Sequence, residues 1–411
     1  MVSRSWRRVI GGLAVAVFLA AGCGGDDDDE GGGSSGGDGG DGGGGSSEPF
    51  LLGYAGDLTG PLAGFGVPMY DGFMTYVDHV NSEGGVDGRD VEVVVENYEA
   101  DVNKARVGVE TMVDQGVSGI FGGLSGNVWG PMAELAGRFE VPQMTTGVTD
   151  DQVIPAKPYV YSSQLGAAAN AEIVSTFVDD EFGADGLKIG ILGFSSAYGA
   201  AYITHLEEKA DELGWEITSN QEVPLQATDA TTQAEEIVGS DPDVVVLFLI
   251  DPITPLGVRA LRDKGYTGPI VNYTGGEAEA TFETLNDPDY YAVRSYMYPQ
   301  DPSIPAAVEM VEQAEAADLG DSATVAYFTQ GYVQAITAVE GLKACAEDCD
   351  GAAYNEALEN LGEVDTGDLT GEMILSPDRH RAADGGRVYN WDADEGRAVP
   401  VTDWILTGFA G

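Results

Sequence analysis

Short apolar runs alternate with amphipathic stretches along most of this 411-residue chain, and that alternation limits the fold more than any single motif. Runs at 50–55, 91–97, 118–122 and 142–145 read as strands, with helices at 67–81, 102–115 and 132–139 between them. A second series follows, with strands at 188–194, 215–223, 244–250 and 269–273 separated by helices at 198–213, 231–238, 255–264 and 278–285. Units of this kind build parallel sheets, because returning to a parallel neighbour requires a helix-length connection. The run 244–250, Val-Val-Val-Leu-Phe-Leu-Ile, is apolar at every position, as a central strand covered on both faces should be. Two such series, divided near Tyr161, predict an α/β chain of two lobes. After 291–298 the pattern changes to helices at 305–317, 325–345 and 353–361, then short strands at 372–375, 387–391 and 402–406. In the longest of these helices Tyr327, Gly331, Ala335 and Ala338 form one stripe, read as a packing face.

The stretch from Ile120 to Asp150 carries the first functional signal. Two strands end in glycines and hydroxyls, Gly122-Gly123-Leu124-Ser125-Gly126 and Thr145-Thr146-Gly147-Val148-Thr149, and each feeds a loop at the carboxyl edge of a parallel sheet. Ligands bind at that edge in open α/β sheets. Small residues admit a ligand close to the backbone, and free N–H groups at a helix start favour an anion such as a carboxylate. Two ordinary turns with glycine for geometry would give the same pattern.

The amino end reads as an export signal over 1–22, with Arg4, Arg7 and Arg8 before an uncharged, mostly apolar run at 10–21. That run is too short to span ~30 Å of hydrocarbon. It closes on Leu19-Ala20-Ala21-Gly22-Cys23, which closely resembles the bacterial lipobox, and the expectation is a lipid on Cys23. Residues 24–47 are Gly, Ser and acidic side chains with no apolar residue, so 23–49 is expected to be a disordered tether holding the body at the outer face of a membrane.

Charge and spacing narrow the function. With 69 acidic and 19 basic residues the formal charge is −50. Such a surface repels nucleic acid and anionic membrane, both of which need Lys or Arg to displace counterions. His79, His205 and His380 lie far apart with no metal-ligand spacing, and each reads as a surface histidine. The glycine-rich 60–66 segment lacks a phosphate-loop lysine, and Gly123-Leu124-Ser125-Gly126 misses the nucleophile-elbow spacing by one residue. No enzyme and no cofactor are expected. Cys345 and Cys349 remain as a possible disulfide, expected in an exported chain to pin only a local turn.

Together these residues resemble a known family. The segments Gly53-Tyr54-Ala55-Gly56-Asp57-Leu58-Thr59-Gly60-Pro61, Val80-Asn81-Ser82-Glu83-Gly84-Gly85-Val86, Gly122-Gly123-Leu124-Ser125, Ala197-Tyr198-Gly199 and Ala260-Leu261-Arg262-Asp263-Lys264-Gly265-Tyr266 have an order and spacing similar to type I periplasmic binding proteins of the leucine/isoleucine/valine class. The resemblance implies an ABC importer's receptor: two Rossmann-like lobes joined by a three-crossing hinge, a small carboxylate-bearing ligand enclosed by hinge closure, permease and ATPase subunits as partners, and a monomer. It places lobe 1 at 50–161 and 296–380, and lobe 2 at 162–295 and 381–411, with crossings near 161–164, 294–298 and 377–383.

Carried over residue by residue, the family's carboxylate-binding loop falls on Ser125 and Gly126. The second loop falls on Gly147, Val148 and Thr149, with the Thr hydroxyl facing the ligand. The first-loop aromatic corresponds to Phe65, which core packing would explain equally, and the second-lobe aromatic to Tyr198. The family's ammonium-pairing acid is absent, since Thr274-Gly275-Gly276 stands in its place. Asp251 and Glu277 are the nearby acids. If neither faces the cleft, the expected ligand lacks an amine and is an aromatic or aliphatic carboxylate, an amide or a urea. A sensory lipoprotein of the same fold, or an anchored hydrolase with an unrecognised carboxylate pair, are the competing readings.

Overall fold

In the computed structural model the described residues are 48–408 apart from Ser125, Val148, Ala346 and Glu347. The signal, Cys23 and most of the tether therefore lie outside them. Five parallel strands form the first sheet in the order β2-β1-β3-β4-β5: β1 (Phe50–Gly56), β2 (Val91–Asn97), β3 (Ile120–Gly122), β4 (Gln143–Thr145) and β5 (Val160–Ser162). Helices α1 (Ala63–Ser82), α2 (Val102–Asp114), α3 (Gly126–Phe139) and the short α4 (Asp150–Val153) connect them. Asp101 accepts the N–H groups of Asn103 and Lys104 and so fixes the start of α2.

The chain then enters α5 (Ala167–Phe182) and a second sheet. Its parallel part is β6 (Lys188–Phe194), β7 (Glu216–Val223), β8 (Val244–Phe248), β9 (Ile270–Asn272) and β10 (Tyr290–Arg294), with helices α6 (Ala197–Leu213), α7 (Thr231–Gly239), α8 (Thr254–Asp263) and α9 (Glu279–Leu285) between them. All of β8 is buried, as its unbroken apolar sequence requires. After β10 the chain forms α10 (Pro305–Ala316), a 3-10 turn at Ser322–Thr324, α11 (Ala326–Ala344) and α12 (Gly351–Glu359), and both α10 and α11 pack on α1 of the first lobe. A small sheet of β11 (Gly362–Glu363), β12 (Glu372–Leu375) and β13 (Ala383–Asp384) precedes β14 (Arg387–Asp392) and β15 (Arg397–Pro400), which add antiparallel strands beside β10.

Several expectations need correction. The first helix begins at Ala63, so Phe65 lies in a helical first turn and not in a loop. Gly66 lets that turn press on the β1 end, because a Cβ there would fall 2.3 Å from the Asp57 carbonyl oxygen. The strand expected at 402–406 is a single bridge between Gly386 and Ile405, and β15 lies just before it. His380 is buried, stacked on Tyr161 at 4.2 Å, with Nδ1 2.8 Å from the Lys157 carbonyl oxygen. Helix α5 was not anticipated, and its buried residues, from Ala169 and Asn170 through Phe177, leave no single apolar stripe to detect.

Cys345 and Cys349 are bonded to each other just past α11, where Ser118 Oγ donates to the Cys349 carbonyl. No helix among the described residues is long and apolar enough to cross a membrane, and none of their His, Cys, Asp and Glu side chains group as metal ligands.

Candidate ligand cleft

On the first lobe, β3 and β4 end side by side and their loops are tied together. Thr146 N–H donates to the Gly123 carbonyl at 2.9 Å, and its hydroxyl donates to the same oxygen. Gly122 and Gly123 both take positive φ, +96° and +68°. A Cβ on Gly122 would fall 2.4 Å from the Ala55 carbonyl oxygen, and one on Gly123 2.5 Å from the Trp129 ring. Glycine here answers to the protein's own packing, so the expectation that these glycines open space for a ligand is corrected. Leu124 N–H is also committed, donating to Tyr98 Oη at 2.9 Å.

Gly126 opens α3 and stands beside Gly147, whose carbonyl oxygen would be 3.2 Å from a Cβ on Gly126. The two loops therefore meet at these glycines, while Ser125 and Val148 lie outside the described residues. Thr149 departs from its expected role. Its N–H donates to Gln152 Oε1 at 3.0 Å and its hydroxyl to Asp151 Oδ1 at 2.6 Å, so both donors are used within the turn. Phe65 packs on Tyr327 of α11 with ring centroids 5.0 Å apart.

On the second lobe, Tyr198 sits in the first turn of α6, after Ser196 accepts the Gly199 N–H. The Tyr198 hydroxyl accepts from Asn170 Nδ2 at 2.8 Å and donates to the Leu165 carbonyl at 3.1 Å. Its ring lies parallel to Phe248, which stacks in turn on Tyr273 at 4.3 Å. Tyr198 thus offers a ring and not a hydroxyl. Asn170 also accepts the Thr274 N–H, at 3.4 Å, and so holds two candidate positions from one buried side chain.

The two acids differ. Asp251 Oδ1 accepts the Ala278 N–H at 3.0 Å and the Thr281 hydroxyl at 2.8 Å, which secures the start of α9. Burial pushes its carboxyl up to about 6 in spite of those bonds. Oδ1 is thus engaged in starting the helix, and these bonds leave Oδ2 out. Glu277 keeps Oε2 out of water with no partner, and burial holds its carboxyl well above the usual range. Burial raises the Tyr327 hydroxyl, and the charges of Glu277 and Asp251 push it the same way.

Arg294 is a residue that sequence reasoning missed. It is 1% exposed in its side chain, pairs with Glu279 at 2.9 Å, and donates twice to the Glu277 carbonyl, at 2.8 and 3.0 Å. Tyr298 and Tyr389 flank its guanidinium at 4.4 and 4.5 Å. The available signal was an arginine closing the apolar run Tyr-Tyr-Ala-Val, since a charge at the end of a central strand needs a partner. Beside it opens a cavity of about 490 Å³ lined by Ala278, Glu279, Tyr298, Val325 and Ala398 among others.

The crossings between the lobes are paired laterally. Ser162 N–H donates to the His380 carbonyl and Ala382 N–H to the Ser162 carbonyl, both at 2.9 Å, while the Tyr296 hydroxyl of the middle crossing donates to the Ser163 carbonyl. Gln334 of α11 links this region to β3: it donates to Ser163 Oγ at 2.7 Å and accepts the Gly122 N–H at 3.2 Å.

Comparison with known proteins agrees with this architecture. The sequence model of the family described as "Periplasmic binding protein" matches residues 49–397. Leu/Ile/Val-binding protein homolog 7 of Brucella abortus (strain 2308) is 24% identical over 366 residues, covering 84% of this chain and 88% of the relative. A branched chain amino acid ABC transporter from Thermus thermophilus, solved with bound valine, superposes with a TM-score of 0.76 at 16% identity, over 89% of this chain and 98% of that one. A solute binding protein from R. palustris in complex with 4-hydroxybenzoate gives 0.73 at 16% identity, over 87% and 96%. At these identities the solved structures share the fold.

Proposed function

Because this chain belongs to the periplasmic binding protein family, we propose that it is the extracytoplasmic receptor of an ABC importer, taking a small ligand between its lobes and presenting it to permease and ATPase subunits. The observation that carries this reading is the pair of largely parallel sheets, each with its own helices, joined where Ser162 pairs with His380 and Ala382. Ligand binding in such a design shifts a population between lobe angles. The chain would act as a binding protein and not as an enzyme. Residues 1–22 would be its export signal, with lipid on Cys23 and a 23–49 tether leaving the body outside the cytoplasmic membrane.

The relatives' names favour a branched-chain or related amino acid, with Glu277 as the partner of its ammonium. A second reading has its own support. Burial favours the neutral form of Glu277, and a neutral carboxyl can donate to an amide or a carboxylate where it could not balance an ammonium. Thermal unfolding of the full chain against leucine, isoleucine, valine, 4-hydroxybenzoate and short amides tests both. A ligand at a hundred times its dissociation constant should add about 2.7 kcal/mol, a shift of several degrees. A shift with the amino acids, lost in Glu277→Gln, supports the first reading. A shift with the acid or amides alone replaces it with the second. Turnover of a bound compound would overturn the receptor.

A further inference from the structure

One carboxylate joins the ligand loop, the crossings and the second lobe. Asp150 follows the 147–149 loop directly and opens α4. Its Oδ1 accepts from Arg381 Nη2 at 2.6 Å, and its Oδ2 accepts the Ala167 N–H at 3.0 Å. Ala167 begins α5, which packs on α6 in the second lobe, whereas α4 packs on β5 in the first. Arg381 lies in the last crossing with its side chain 3% exposed. Its Nη1 donates to Ser162 Oγ at 3.0 Å and to the Gln164 carbonyl, both in the first crossing. A guanidinium so enclosed needs an anion, and Asp150 supplies it. Room for that carboxylate exists because residue 166 is glycine: a Cβ there would fall 2.0 Å from Asp150 Oδ1.

We propose that Asp150 is a positioning residue: clasped by Arg381 and by the start of α5, it makes a shift of α4, and of Thr149 before it, change the angle between the lobes. Its purpose rests on the receptor reading, but its geometry does not. Loss of the carboxylate would strand the Arg381 charge and release α5 from the first lobe, so the lobe angle would lose its preferred value while each lobe stayed folded.

Spin labels at Val107→Cys and Leu225→Cys, exposed positions on opposite lobes, read that angle as a distance by pulsed electron paramagnetic resonance. The full chain would carry Cys23→Ser, and the disulfide keeps Cys345 and Cys349 from the label. Asp150→Ala should broaden the distance distribution and add a second separation, with far-ultraviolet circular dichroism unchanged. Gly166→Ala should do the same while keeping both charges, because the methyl group evicts the carboxylate; it decides the matter alone if Asp150→Ala fails to fold. Wild-type distributions in both variants would overturn the proposal. The measurement needs no ligand, so the two readings fail separately: wild-type distances unmoved by every compound of the panel count against the receptor, not against the clasp. Where a compound does bind, a tenfold smaller competent population should weaken its apparent affinity tenfold.

Discussion

Asp251 and Glu277 stand on neighbouring loops of the second lobe, and they differ in what holds them: Asp251 Oδ1 serves the start of α9, whereas Glu277 Oε2 is buried without a partner. The folded chain makes Asp251 harder to ionise, with a value of about 6 against the ordinary 3.8. Stability linked to it is therefore complete below about 3.8 and is lost as pH rises through about 6. Asp251→Asn keeps an acceptor for Ala278 and Thr281 and carries no charge. It should match wild type in acid and exceed it at neutral pH by at most ~3 kcal/mol, the shift of about two units taken at ~1.4 kcal/mol each. Urea midpoints at a series of pH values would check this, and a variant weaker than wild type at pH 7 would mean that the charge itself holds α9. Sequence could place both acids near the cleft, because both follow strand ends. It could not say which was already employed, since the partners of Asp251 lie 27 and 30 residues away.

Helices α1 and α11 meet through glycine. A Cβ on Gly331 would fall 1.8 Å from the Met69 carbonyl oxygen, and one on Gly72 2.0 Å from that of Phe328. The backbones are in contact, so no rotamer change can make room. Gly331→Ala should lower stability by at least the ~1–3 kcal/mol typical of an overpacked core, read as a lower urea midpoint at unchanged slope. A midpoint within error of wild type would show that the helices can separate freely. At this scale the alternation of strands and helices was legible, because fully covered strands are apolar throughout and surface helices are striped. Boundaries were less so. Gly64, Gly66 and Gly126 are poor helix formers that nevertheless stand in helical first turns, Pro131 lies inside α3, and α5 is buried too widely to show a stripe. The Asp150–Arg381 pair, 231 residues apart in the chain, left no local signal at all.

Over the whole molecule, 69 acids against 19 bases make self-repulsion a standing cost. Raising salt from low values toward 0.5 M shortens the screening length below about 10 Å and should raise the melting temperature. A falling melting temperature would mean that pairs such as Arg262–Asp287 and Lys209–Glu172 outweigh the net charge. The crossings act at this scale too. Separate flexible linkers would let one lobe twist, slide and tilt on the other. Here Ser162 is bonded to both His380 and Ala382, and Tyr296 to Ser163, so the three strips are joined. If the chain works as the proposed receptor, a strip so joined should bend across its face and resist shear within its plane, holding the lobes to a single path. Two independent label pairs should then report distances that rise and fall in fixed proportion, as two points on a door do about one axis.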